Sequence, residues 1–182
     1  YELNRGKKNG IQFWNNNELL IQDYFISIKE FFGKDPIITK RKNQMAVRVI
    51  SMGILRFFTN LDKNLLEKGD KKRIPDIILE FPKENLRYLL RALFDGDGTV
   101  TFQKRNGARI KLVSQNKELL NQVADILLRF GIHSSIFYDS HSRIWLLDIS
   151  GQENLSKFLY YINFLSKHKK QRLEAYCGKT KT

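Results

Sequence analysis

The sequence predicts an α+β fold built from two copies of one unit. Segments of strand and helix periodicity alternate along the 182 residues. The chain also resembles itself: "NNELLIQ", Asn16 to Gln22, aligns with "NKELLNQ", Asn116 to Gln122, and each follows a short apolar-rich strand, "IQFWN" (11–15) or "IKLVS" (110–114). Hydrophobic residues make up 42% of the chain, enough for a substantial core.

The first copy spans 1–60. After its strand comes an amphipathic helix that runs to Phe32-Gly33, where glycine stops it. Strands follow at Pro36 to Arg41 and Met45 to Ile50, with Lys42, Asn43 and Gln44 as the turn. The spacing of Ile54, Leu55, Phe57 and Phe58 then predicts a helix over Val49 to Phe58. Residues 61–81 read as a linker holding Gly69 and Pro75, and Pro82 suits the first turn of the next helix.

The second copy spans 82–182 and opens with a helix over 82–97, apolar at Leu86, Leu89, Leu90 and Leu93. "TVTFQKR" and "RIKLVS" read as strands, and a second amphipathic helix ends at Phe130-Gly131. Strands at Ser134 to Tyr138 and Arg143 to Ile149 flank "DSHS" as the turn. Leu155, Phe158 and Leu159 set a helix over Asp148 to Leu159. The register matches Tyr1 with Val100, so the first copy has no counterpart of the 82–97 helix within these residues. The expectation is a missing first helix, supplied by an upstream segment or a second chain.

A formal net charge of +13 points to a polyanion, nucleic acid first. No run of eighteen apolar residues would span a membrane, and no secretory signal is read at Tyr1. The single cysteine, Cys177, excludes an internal disulfide and a zinc finger. A cytoplasmic, nucleoid-associated, nuclear or organellar setting is expected, and secretion is not.

"ALFDGDGTV", Ala92 to Val100, closes a helix with two acids. Negative charge is unwelcome among helix-end carbonyls. Ala92 and Gly96, small and four apart, allow a second helix backbone to approach closely. Two such helices side by side would bring their terminal acids together. Carboxylates with helix-end carbonyls, here Asp97 and Gly96, suit a hard divalent cation such as Mg²⁺ or Mn²⁺. A calcium loop is excluded, because the sixth position from Asp95 is Val100 rather than glycine and the twelfth is Asn106 rather than glutamate. Asp95 is expected to make a structural hydrogen bond or to cap the turn.

"LLRALFDGDG", Leu89 to Gly98, resembles the motif of the LAGLIDADG homing endonucleases, with Arg91, Phe94 and Gly96 as its departures. The resemblance, of intein or archaeal type, implies a duplicated αββαββα fold with pseudo-twofold symmetry. Each saddle-shaped antiparallel sheet would lie in the major groove of double-stranded DNA. It assigns a metal ligand and catalytic acid to Asp97. "KRIP", Lys72 to Pro75, resembles a K-x-I-P block whose lysine, here Lys72, reaches the active site. The closing block "INFLSKHKKQRLEAY" makes Lys169 its pseudosymmetric partner.

Strand alternation then divides the residues between faces. Val100 and Phe102 face the helices, and Thr99, Thr101, Gln103 and Arg105 the groove. Arg109 and Lys111 join them, with Arg143 in the next hairpin and Asp148 as a possible acceptor from cytosine. Gln12, Lys40 and Arg48 are the choices in the first copy. Trp14 and Trp145 are expected in the core.

The implied activity is site-specific, Mg²⁺-dependent hydrolysis of DNA within a long site. With one family acid, this chain alone is expected at most to nick or to bind. The alternative is a DNA-binding module or intron RNA maturase that does not cut. Protein splicing is not expected of these residues, which lack a terminal nucleophile and a closing His-Asn, although the chain suits the endonuclease portion of an intein.

Overall fold

A computed structural model of the chain describes residues 2–4, 10–41, 44–63, 71–103 and 107–178. It divides into two compact units, Tyr1–Glu67 and Lys68–Thr182. The "KRIP" segment thus belongs to the second unit. Among the described residues no helix is long and apolar enough to cross a membrane.

The first unit holds strands β1 (Glu2–Asn4) and β2 (Gly10–Asn15), helix α1 (Glu18–Phe32), strands β3 (Ile37–Arg41) and β4 (Gln44–Ile50), and helix α2 (Met52–Leu61). Its antiparallel sheet has the order β1-β2-β4-β3. Ile11, Ile21, Tyr24, Ile28, Val47, Val49 and Ile54 form its core. The second unit begins with a short helix α3 (Asp76–Leu79) and helix α4 (Lys83–Gly96), then strands β5 (Gly98–Gln103) and β6 (Gly107–Ser114). Helix α5 (Lys117–Leu128), strands β7 (Ser135–Asp139) and β8 (Ile144–Ser150), and helices α6 (Gln152–Tyr161) and α7 (Lys167–Cys177) complete it. The sheet order β5-β6-β8-β7 repeats that of the first unit. Its core joins Leu86, Leu90 and Phe94 of α4 to Ile110, Leu112, Leu147 and Ile149 of the sheet and to Leu173 of α7.

The repeat is real in topology, but the structure shifts its alignment by one residue. Asn17, not Asn16, is the counterpart of Asn116. Each is the N-cap of its helix, accepting from Leu19 N–H at 3.0 Å and from Glu118 N–H at 2.8 Å. The closing helices also start later than the spacing suggests. Val49 and Ile50 complete β4, and Ser51 then caps α2 by accepting from Ile54 N–H at 3.3 Å. Likewise β8 runs to Ser150, and Gly151, at φ +84°, turns the chain into α6. Both predicted glycine stops are left-handed, at φ +60° for Gly33 and +67° for Gly131. Gln44 pairs in β4 rather than forming the turn, while Lys42 and Asn43 lie outside the described residues.

Candidate active site and nucleic-acid interface

Helix α4 has two faces. Leu86, Leu90 and Phe94 are fully buried against the sheet. Tyr88, Ala92 and Gly96, one helical turn apart on another side, are exposed, and a Cβ added at Gly96 would meet nothing within 4 Å. The small-residue stripe therefore stands open. Gly98 has the opposite constraint. A Cβ there would sit 2.5 Å from the Phe94 carbonyl oxygen, so only glycine lets β5 leave so close to the last turn of α4. Arg91, which departs from the motif, donates from Nε to the Ile162 carbonyl at 2.8 Å.

The two acids have different surroundings. Asp95 is 4% exposed, and its carboxylate accepts from Leu165 N–H at 2.8 Å and from Ser166 N–H at 3.0 Å. These amides open α7, whose first turn is basic (Lys167, His168, Lys169) with no acid of its own. Asp95 supplies the negative charge that this helix start requires. Lys169 returns the favour to α4. Its Nζ donates to the carbonyls of Phe94 at 3.0 Å and Asp95 at 2.7 Å. Burial holds the Lys169 ammonium below its ordinary value of 10.5, an effect that the nearby Asp95 and Asp97 carboxylates partly offset. The two helices exchange caps.

This exchange explains how an acid is tolerated at the end of α4. The last four carbonyls of a helix lack intrahelical partners. Here those of Leu93 and Phe94 accept from Asp97 N–H, and Lys169 takes those of Phe94 and Asp95. The remaining one belongs to Gly96, next to the exposed Asp97. Asp97 is thus the acid that the fold leaves open, and Lys169 is beside it.

Lys72 lies on a strap that α5 holds by its backbone. The side-chain amide of Gln122, 8% exposed, accepts from Ile74 N–H at 2.8 Å and donates to the Ile74 carbonyl at 3.0 Å. Asn116 Nδ2 donates to the Lys72 carbonyl. The Lys72 side chain is exposed. In the sequence Gln122 stands out only as part of the repeat. The signal for its role is a glutamine on the buried face of an amphipathic helix.

Pairing registers sort the proposed DNA contacts. In the second sheet Thr101 pairs with Arg109, and Thr99 with Lys111, on the face opposite Val100, Ile110 and Ile149. Arg109 and Asp148 share that face and bond to each other, Nη1 to Oδ2 at 2.9 Å. Asp148 is therefore engaged by Arg109, which revises its reading as an acceptor from cytosine. Gln103 ends β5, Arg105 lies outside the described residues, and Arg143 sits exposed in the β7–β8 turn with a left-handed φ of 55°. In the first sheet Gln12 pairs with Arg48 on the face away from Ile11 and Val49. Lys40 has the other parity: it pairs with Met45, on the face of Ile38 and Val47, so alternation does not group it with Gln12 and Arg48. Trp14 pairs with Ala46 on the Gln12 face, outside the predicted core position, whereas Trp145 packs half-buried against the second core.

Residues 84–163 match the family model of the LAGLIDADG-like domain. A 108-residue stretch is 37% identical to the probable translation initiation factor IF-2 of Thermococcus kodakarensis, covering 59% of this chain and 9% of that protein. A DNA polymerase of Thermococcus sp. is 32% identical over 134 residues, covering 70% of this chain and 8% of the polymerase. The probable IF-2 of Methanocaldococcus jannaschii is 26% identical over 178 residues, 92% of this chain and 15% of that protein. The chain spans only a small part of the curated relatives it matches. Among solved structures, I-DmoI in complex with DNA and Mn has a TM-score of 0.65 at 23% identity, covering 92% of this chain and 89% of that one. I-WcaI bound to its DNA recognition sequence has a TM-score of 0.60 at 20% identity, covering 95% and 78%. Residues 84–163 thus carry a LAGLIDADG-like domain, and the chain has the fold of the LAGLIDADG homing endonucleases.

Proposed function

We propose that this chain is the DNA-cutting module of an element inserted into a host protein, an intein in origin. Its homologous segments lie in an initiation factor and in a DNA polymerase, proteins of unrelated chemistry, and occupy 9% and 8% of them. A segment shared in this way reads as an insert. The activity is site-specific hydrolysis of double-stranded DNA with Mg²⁺ or Mn²⁺.

The observation that carries the chemistry is the division of labour between the two acids. Asp95 is committed to α7, and Asp97 is exposed at the end of α4. The Asp97 carboxylate and the Gly96 carbonyl are oxygen donors, a set that fits a hard divalent cation. When bound, such a cation lowers the pKa of water and stabilises a leaving oxygen. Lys169 holds the carbonyl end from which Asp97 projects and places positive charge beside it. Lys72, carried on the pinned strap, reaches toward developing phosphate charge. Gln12, Arg48, Thr101, Arg109 and Lys111 face the major groove, with Arg143 at its edge. The open face of Ala92 and Gly96 takes a second motif helix, which brings a second acid and a second cutting site. With Asp97 alone the chain nicks one strand.

The test is a supercoiled plasmid carrying the host gene without its insert, incubated with the chain and Mg²⁺. Metal-dependent nicked circles support the proposal. Salt-sensitive binding with no cutting in Mg²⁺ or Mn²⁺ selects the second reading, a binding module or intron RNA maturase.

A further inference from the structure

The outward face of the second sheet is chemically divided. One part carries Thr99, Thr101, Arg109, Lys111 and Asp148. The next row across the same strands is apolar: Val113 pairs with Leu146, and Leu146 with Phe137. These three share the parity of Lys111 and Asp148 and point away from the core. Val113 and Phe137 are each 42% exposed, and Leu146 is half-buried. An antiparallel sheet with one solvated face ordinarily alternates to polar residues there. Three neighbouring apolar side chains on that face need a partner.

We infer that this row is a thymine-reading surface, its side chains packing on the C5-methyl groups exposed in the major groove. The inference rests on the DNA-binding reading above. The occupant follows from the surroundings. The row adjoins Lys111 and Arg109 on one continuous face of a chain of net charge +13, which suits a polyanion better than a second copy of the same basic chain. In the major groove the apolar feature that distinguishes one base pair from another is the thymine methyl. Same-face residues on a strand lie about 7 Å apart, and bases stack about 3.4 Å apart. The methyls read by Val113 therefore lie about two base steps from the position that faces Lys111.

The test uses the full chain and duplexes it selects from a random library. Each thymine of the selected duplex is replaced in turn by uracil, which removes only the methyl. Covering one methyl predicts an affinity loss of about fourfold at each thymine so read. Val113→Ser removes both γ-methyl groups at an exposed site, and Phe137→Gln changes a second exposed site. Each variant should erase the thymine-over-uracil difference at one position and leave the salt dependence of binding unchanged. The inference is overturned if no thymine discriminates, or if both variants keep the difference. A chain that binds no duplex in a salt-sensitive manner overturns the DNA-binding reading as well, which separates the two failures.

Discussion

Replacing Asp95 and Asp97 separately should split stability from function. Asp95 is 4% exposed and accepts two N–H bonds at the start of α7. A hydrogen bond to a charged group contributes about 1.5–3 kcal/mol, and a buried donor left unpaired is costly. Asp95→Ala orphans both amides and removes the charge that balances the basic first turn of α7, so the expected loss is about 3–5 kcal/mol. At about 2–4 °C per kcal/mol for a chain of this size, the melting temperature falls by about 6–20 °C. Asp97→Ala removes an exposed acid from a helix C-terminus and should shift stability by no more than about 0.5 kcal/mol. Thermal melts by circular dichroism measure both. If the two variants melt within 2 °C of each other, using about the precision that this scaling allows, the cap exchange is not what holds α4 to α7.

Three further outcomes follow from the same geometry. Gly98→Ala should cost about 1–3 kcal/mol through its overlap with Phe94, whereas Gly96→Ala, which meets nothing, should be neutral or stabilising by up to about 1 kcal/mol; urea titration separates the signs. Lys169 binds its proton less tightly when folded, so between its folded value and 10.5 the unfolded chain holds more protons and stability rises with pH. That alkaline rise should be lost in Lys169→Met, and an unchanged slope would contradict the assignment. Gln122→Ala should release the strap, costing about 2 kcal/mol and exposing residues 71–81 to limited proteolysis; equal cleavage rates would show that the amide clamp does not hold it.

The motif helix and both strand–helix–strand–strand series were legible because periodicity, glycine stops and turn residues agreed. The one-residue slip in the repeat had a clear cause. "NNELLIQ" and "NKELLNQ" match as strings, but capping is decided by which asparagine faces the first free amides, and that is Asn17. Helix starts after β4 and β8 were read early because Val49, Ile50 and Ile149 suit either element. The open Asp97 could be named from the motif, yet the Asp95 and Lys169 exchange joins residues about seventy positions apart, which no local pattern encodes. The Asp148 ion pair with Arg109 likewise depends on the strand register.

On the proposed function Asp97 serves chemistry rather than the fold. The most direct measurement is single-turnover nicking of a supercoiled plasmid bearing the insertion site, in Mg²⁺, by the parent chain and by Asp97→Asn. Nicked circles are expected from the parent and none from the variant, with equal DNA affinity and equal melting temperature. Nicking that survives in Asp97→Asn would contradict that role.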